Sequence, residues 1–170
     1  MNKRTSLSRF IVTAALISAA YVVLTYVSAS LGLAYGNIQF RLSEALNFLA
    51  VFTPAAIPGL AVGCVIGNIA SPFGLIDVVV GTLATTLSAI SIRLLAKVSG
   101  KAIPYISILP PVIFNAVLVG LEIVWFLPQG VSWVGFAVTA LEVALGELFV
   151  CTLLGLPVYF GIKKYSNKLF

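Results

Sequence analysis

The side chains that could do chemistry in this sequence are acids, amides and one arginine, set within long apolar stretches. An ionisable side chain inside a membrane span is costly and is by default a candidate for function. The chain has no histidine, the commonest metal ligand and general base, and Cys64 and Cys151 lie in apolar runs. We therefore predict no metal, no cofactor and no nucleophile–base pair. The charged candidates are Arg41, Glu44, Asp77, Glu122, Glu142 and Glu147.

All five acids are predicted to lie toward the outer membrane surface. Asp77 precedes Lys97 by twenty residues, which is about 30 Å along a helix. Glu147 precedes Lys163 by sixteen residues, about 24 Å. The only base that accompanies the acids is Arg41. Either some acids are protonated, or a cationic, donor-rich ligand balances them, or they meet only Arg41, backbone and water.

The composition requires that these residues be held by membrane-spanning helices. Of 170 residues, 61% are hydrophobic and only 9% are charged, and the mean hydropathy is +1.13. Six spans of about 20 residues would use about 120 of them. This composition excludes a secreted globular protein, a nucleic-acid-binding protein and a P-loop ATPase. We predict an all-α integral membrane protein, a six-helix bundle that forms a single domain over residues 1–170.

Breaker residues and basic clusters give the predicted topology. Nine of the ten basic residues fall near the N-terminus, in 93–101 and near the C-terminus, which places both termini in the cytoplasm by the positive-inside rule. The second and third spans are short and are expected to form a tight hairpin. The predicted spans are 8–28, 40–52, 58–70, 75–96, 110–126 and 132–162.

Helical spacing groups the polar candidates. Arg41 and Glu44 are three residues apart, so on a helix they would pair or jointly present a donor and an acceptor. Asn115 and Glu122 are seven apart and are predicted to share one stripe of the fifth span. Two further amides, at the start of the second span and the end of the third, complete the predicted site: Gln39 and Asn68.

Small residues recur on the first span. Ala15 and Ala19 are four residues apart, a spacing that lets another helix approach closely. From the spacing alone, this stripe is either an ordinary packing face within the chain or a contact for a partner helix.

Several segments give the chain a resemblance to a known family. They read YGNIQFRLSEAL at 35–46, PGLAVGCVIGN at 58–68, GLIDVVVGTLAT at 74–85, PPVIFNAVLVGLE at 110–122 and LGELFVCTLLGLP at 145–157. With these segments the chain resembles the QueT family, substrate-binding (S) components of energy-coupling factor (ECF) transporters linked to queuosine precursors. Glu142 lies outside them. Their polar members are the predicted substrate-binding residues: Gln39, Arg41, Glu44, Asn68, Asp77, Asn115, Glu122 and Glu147.

The resemblance implies a transporter subunit rather than an enzyme. S components are multi-pass proteins of the cell membrane, here expected to be bacterial, that capture a scarce solute outside the cell. They associate with a membrane coupling subunit and two cytoplasmic ATPases, and they topple in the lipid to release the solute inside. Small residues on helix 1 commonly form the contact with the coupling subunit, a role that Ala15 and Ala19 fit. The chain has no GxxxxGK[ST] sequence, as expected where partners hydrolyse ATP.

The implied ligand is a 7-deazaguanine. A carboxylate can accept its N1–H and exocyclic amine together, and its O6 needs a donor such as Arg41, Asn68 or Asn115. The cationic amine of preQ1 or queuine would use a second carboxylate, so we rank both above the neutral nitrile preQ0.

Three alternative functions remain open at this point. One is an S component for another cationic vitamin, such as a thiamine-like solute. Another is an intramembrane enzyme that uses a carboxylate, against which the missing histidine argues. The third is a homo-oligomeric channel, which would need polar residues through the full depth of the bilayer.

Overall fold

The computed structural model describes residues 3–35, 38–98, 100, 103–128 and 130–166, with side chains from residue 7 onward, and contains no strand within them. Four helices are long and apolar enough to cross a membrane, so the predicted all-α membrane class is confirmed. Two shorter apolar helices, of 10 and 13 residues, lie where the sequence predicts short spans. In chain order the elements are α1 (Lys3–Ser30), a 3₁₀ helix (Leu42–Val51), α2 (Ala56–Asn68), α3 (Leu75–Leu95), α4 (Ile103–Trp125) and α5 (Trp133–Lys163).

The last two helices each contain one π-helical turn. In α4 this turn is Asn115–Val119, and in α5 it is Cys151–Gly155. Such turns insert a residue into an α-helix and are frequent at functional sites. The sequence predicts a start near Pro110 for the fifth span. Pro110 and Pro111 do lie in the first turn of the segment Leu109–Phe114. However, α4 begins earlier, with a further helical turn at Ile103–Ile106.

An extensive helix contact joins α1 and α2. A Cβ at Gly59 would lie 2.7 Å from the Ala14 carbonyl oxygen, and one at Gly63 would lie 2.8 Å from Tyr21 Cβ. Any larger residue would force the two helices apart. α2 therefore follows α1 along its length, as a result of three glycines four residues apart: Gly59, Gly63 and Gly67.

An irregular segment, residues 38–41, enters the bundle interior between α1 and the 3₁₀ helix. Gln39 and Arg41 are buried, and Gly146 of α5 packs directly on the Gln39 backbone. Non-helical backbone at membrane depth is tolerated only where protein buries it or where it lines a cavity. The structure thus shows an interrupted span at the place where the polar candidates begin.

Because residues 38–41 pass into the interior before the 3₁₀ helix begins, Glu44 lies deeper than the sequence predicts. The sequence suggests that Glu44 lies at the outer end of its span, but the structure places it against Tyr21 and Thr85. Tyr21 is nine residues before the end of α1, and Thr85 is ten residues after the start of α3. Glu44 therefore lies about 14 Å below those helix ends, near the middle of a bilayer core of about 30 Å. The sequence predicts that the second span begins at residue 40, but residues 40 and 41 belong to the irregular segment, and the 3₁₀ helix begins at Leu42.

The opposite end of the bundle is apolar inside and basic at its rim. Phe48, Ile103 and Tyr159 belong to one buried cluster there. Arg93 donates to the Val51 carbonyl oxygen at 2.9 Å, at the end of the 3₁₀ helix. Two residues of the predicted basic clusters lie outside the described residues: Lys101 and Lys168.

Candidate functional site

The eight predicted site residues are all buried, none with more than 5% of its surface exposed. They come from every element of the bundle except α1. Residues 38–41 contribute two, the 3₁₀ helix, α2, α3 and α5 one each, and α4 two. The eight are Gln39, Arg41, Glu44, Asn68, Asp77, Asn115, Glu122 and Glu147.

Arg41 is held by the amide of Asn68, which Asp77 holds in turn. Its Nη2 donates to Asn68 Oδ1. Asn68 Nδ2 in turn donates to the Asp77 carbonyl oxygen at 2.8 Å and to Asp77 Oδ1 at 3.3 Å. A Cβ at Gly81 would collide with the Asn68 amide and would lie 2.9 Å from Asp77 Oδ1. Asn68 therefore uses both ends of its amide to position the guanidinium, in space that a glycine leaves free.

Glu44 is bound by neutral donors from three elements. Its Oε1 accepts from the Tyr21 hydroxyl and from Thr85 Oγ1, the latter at 3.1 Å. Its Oε2 accepts from Asn47 Nδ2 at 2.6 Å. Both carboxylate oxygens thus have partners inside the protein.

Arg41 and Glu44 do not pair with each other. Helical i, i+3 spacing brings side chains together only within a helix, and Arg41 precedes the 3₁₀ helix with an extended backbone, at φ −84° and ψ 97°. Arg41 turns to Asn68 and Glu44 to Tyr21. The predicted pairing is therefore wrong, and each of the two side chains is held by different partners.

Glu122 and Glu147 differ from Glu44 in having unused acceptors. Both oxygens of Glu122 and Oε2 of Glu147 are buried with no hydrogen-bond partner among the described residues, and the same is true of Arg41 Nε. Buried polar atoms without partners are rare and costly, so each needs an explanation. Arg41 is close enough to act electrostatically on both acids. Asp77 acts in addition on Glu122, and Glu44 acts on Glu147.

Asn115 does not extend a stripe from Glu122. Its Nδ2 donates to the Pro111 carbonyl oxygen of its own helix at 3.0 Å. The π-helical turn Asn115–Val119 separates it from Glu122, and the inserted residue rotates everything that follows. The prediction of a shared stripe assumes continuous α-helix and is wrong for that reason.

Sequence reasoning missed the donors that surround Glu44. Tyr21, Asn47 and Thr85 are fully or almost fully buried and are ordinary polar residues within apolar runs. Their positions on three separate elements give no shared spacing to recognise. A tyrosine in the middle of the first span, away from both interfaces, is the one signal that could have found them.

Tyr35 lies in the segment that follows α1 and reaches the end of α2. Its hydroxyl donates to the Gly67 carbonyl oxygen at 2.7 Å. Burial raises the pKa of this hydroxyl above its ordinary value, so at neutral pH it remains a donor. Tyr35 is also close enough to Arg41 and Asp77 for electrostatic interaction, which places it beside the site.

The predicted partner-binding residues face away from this interior. Ala15 and Ala19 line an apolar groove of about 630 Å³ between α1 and α2. The groove floor includes Gly59, where the two helices approach most closely. We call this surface the α1–α2 groove.

The described residues contain no group of acids and cysteines that could hold a metal ion. The fold and the buried acids define an all-helical membrane protein with a polar interior site. The chain belongs to the QueT transporter family, which matches residues 11–164. Its membership in a family of transporters agrees with the prediction that it is not an enzyme.

A similar curated protein is the Queuosine precursor transporter QueT of Lactococcus lactis subsp. cremoris. It is 47% identical over 75 residues, which cover 44% of this chain and 44% of that protein. The matched segment therefore spans less than half of the relative's length. No solved structure matches the chain.

Proposed function

We propose that this chain is the S component of an ECF transporter that captures a queuosine precursor, preQ1 or queuine ahead of preQ0. The observation that carries the proposal is the set of unpartnered carboxylate oxygens on Glu122 and Glu147 inside the bundle. A donor-rich cation would satisfy these oxygens and balance their charge. A relative whose name includes a queuosine precursor supports this ligand class.

The charge balance of the interior supports a cationic ligand. Four acids, Glu44, Asp77, Glu122 and Glu147, are buried with one guanidinium, Arg41. A 7-deazaguanine with an amine arm offers donors at N1, at the exocyclic amine and at the ammonium group. Its O6 accepts from a donor such as the unpartnered Arg41 Nε. The nitrile of preQ0 lacks the positive charge and leaves one carboxylate without a partner.

The interrupted span supports a binding site rather than a packing core. Polar residues and irregular backbone at membrane depth occur where they line a cavity or are covered by protein. Residues 38–41 bring Gln39 and Arg41 to that depth. Many membrane transporters bind their solutes where a helix is interrupted in this way.

The proposed partners are a membrane coupling subunit, two cytoplasmic ATPases and the surrounding lipid. The α1–α2 groove supports the coupling contact, because Ala15 and Ala19 are exposed there and small residues permit close helix approach. We place the chain in the bacterial cell membrane with the acids toward the outside and Arg93, Lys97 and Lys163 toward the cytoplasm. It acts as one domain.

Mass spectrometry of the small molecule that co-purifies with the protein, followed by calorimetric titration, tests this function. We expect a 7-deazaguanine to co-purify and preQ1 to bind more tightly than preQ0, with guanine as the comparison purine. Binding of a thiamine-like cation without binding of any 7-deazaguanine would overturn the ligand assignment.

A further inference from the structure

We infer that Glu122 and Glu147 bind two different parts of the ligand. Glu44 instead holds the surrounding helices in position and does not contact the ligand. This inference rests on the proposed function and deepens it. In this arrangement Glu122 accepts the two donors of the pyrimidine edge, and Glu147 binds the cationic arm.

Glu44 has little left to offer a ligand. Its two oxygens already accept three hydrogen bonds, from Tyr21, Thr85 and Asn47. A ligand donor would have to displace one of these buried partners and leave it unsatisfied. The bonds instead tie α1, α3 and the 3₁₀ helix together at one carboxylate, so Glu44 fixes the position of the helix that follows Arg41.

Glu122 matches a pair of adjacent donors. Both of its oxygens are buried and unpartnered, and two parallel donors on a planar ring edge fit a carboxylate in a bidentate manner. Arg41 acts on Glu122 electrostatically and has an unpartnered Nε. In a guanine-type edge the O6 acceptor lies next to N1–H. An acid and an arginine in proximity therefore match the acceptor–donor–donor order of that edge.

Glu147 suits a single concentrated positive charge. Only its Oε2 is buried without a partner, so it has fewer orphaned acceptors than Glu122. An ammonium group carries its charge at one atom and is satisfied by one such acceptor, whereas the planar ring edge needs both oxygens of its carboxylate.

The experiment crosses acid variants with ligand analogues. Glu122→Gln, Glu147→Gln and Glu44→Gln are titrated with preQ1, preQ0, 7-deazaguanine and 7-deazahypoxanthine, which lacks the exocyclic amine. Glu142→Gln serves as the matched control, because Glu142 lies on α5 and is only half-buried. Thermal unfolding of each purified variant reports whether it is folded.

Each variant has its own expected signature. Glu122→Gln loses the preference of 7-deazaguanine over 7-deazahypoxanthine, which we expect to be about 30-fold in the wild type. Glu147→Gln keeps that preference but loses the preference of preQ1 over preQ0. Glu44→Gln lowers all four affinities by a similar factor and leaves both preferences unchanged.

Other patterns overturn the inference. If Glu122→Gln and Glu147→Gln lower all four affinities equally, or if Glu44→Gln removes one preference, the assignment of roles is wrong while the proposed function stands. If the wild type binds none of the four analogues, the proposed function itself fails. Should a glutamine variant not fold, Glu122→Asp and Glu147→Asp keep the charge but shorten the reach, and each must lower the same preference as its glutamine counterpart.

Discussion

The interior site and the α1–α2 groove invert the usual rule for where polar residues lie. The interior holds Arg41, Glu122 and Glu147 with hydrogen-bonding atoms left unused. The groove on the outside is lined almost entirely by apolar groups, with Ala15 and Ala19 among them. In a bilayer the cost of exposing a polar atom falls on the lipid-facing surface, so recognition of a polar solute is moved inside. On the lipid-facing surface, recognition of a partner depends on the shape of the apolar groups.

α1 contributes to both regions with different faces. Its Tyr21 donates to Glu44 in the interior, and its Ala15 and Ala19 face the groove. Changes to one face should therefore leave the function of the other intact. The predictions below test this separation, beginning with the largest effect.

Filling the groove should abolish uptake and spare binding. In Ala15→Trp/Ala19→Trp, two indoles occupy the space that a partner helix needs, so solute uptake by cells falls to background. Titration of the purified protein should give the wild-type affinity. Val79→Trp, at an exposed position of α3 outside the groove, is the control and should transport normally. Uptake that survives the double change would move the coupling surface elsewhere.

Replacing the Arg41 guanidinium by an ammonium group should weaken ligand binding, although the positive charge at this position is kept. An ammonium in Arg41→Lys cannot reproduce the planar fork that Asn68 holds. We expect a loss of about 2 kcal/mol in the free energy of ligand binding, measured by calorimetry. An affinity equal to that of the wild type would show that Arg41 acts only through its charge.

Removing the Tyr21 hydroxyl should cost stability first and affinity second. Tyr21→Phe leaves Glu44 Oε1 with one donor fewer in a fully buried position. We expect a loss of about 1–2 kcal/mol in unfolding free energy, with a smaller drop in affinity. Tyr26→Phe is the matched control, because its hydroxyl is exposed and its bond to Ile66 is long, at 3.4 Å. Equal destabilisation by the two changes would contradict a special role for Tyr21.

Neutralising Glu142 should have the smallest effect. This acid is only half-buried and lies outside the segments shared with the family resemblance. Glu142→Gln is expected to change the affinity for preQ1 by less than about twofold, in line with other changes away from buried networks. A loss larger than that of Glu122→Gln would require the site to be rebuilt around the outer part of α5.

The sequence was sufficient to predict which residue types would be buried, because a charge in an apolar span has few other places to go. It also predicted the long helices to within a few residues, apart from the extra turn before Pro110. It did not predict the depth of Glu44, nor that Arg41 and Glu44 have different partners. Both features depend on the non-helical backbone of residues 38–41. The π-helical turns of α4 and α5 break the 3.6-residue periodicity on which such predictions depend.

The central claim is that the unpartnered acids of α4 and α5 are the solute site. Calorimetric titration of preQ1 into the double variant Glu122→Gln/Glu147→Gln, beside the wild type, tests it most directly. The account predicts clear binding to the wild type and none detectable for the double variant, with both proteins folded by thermal unfolding. A folded double variant that binds preQ1 with wild-type affinity would contradict it.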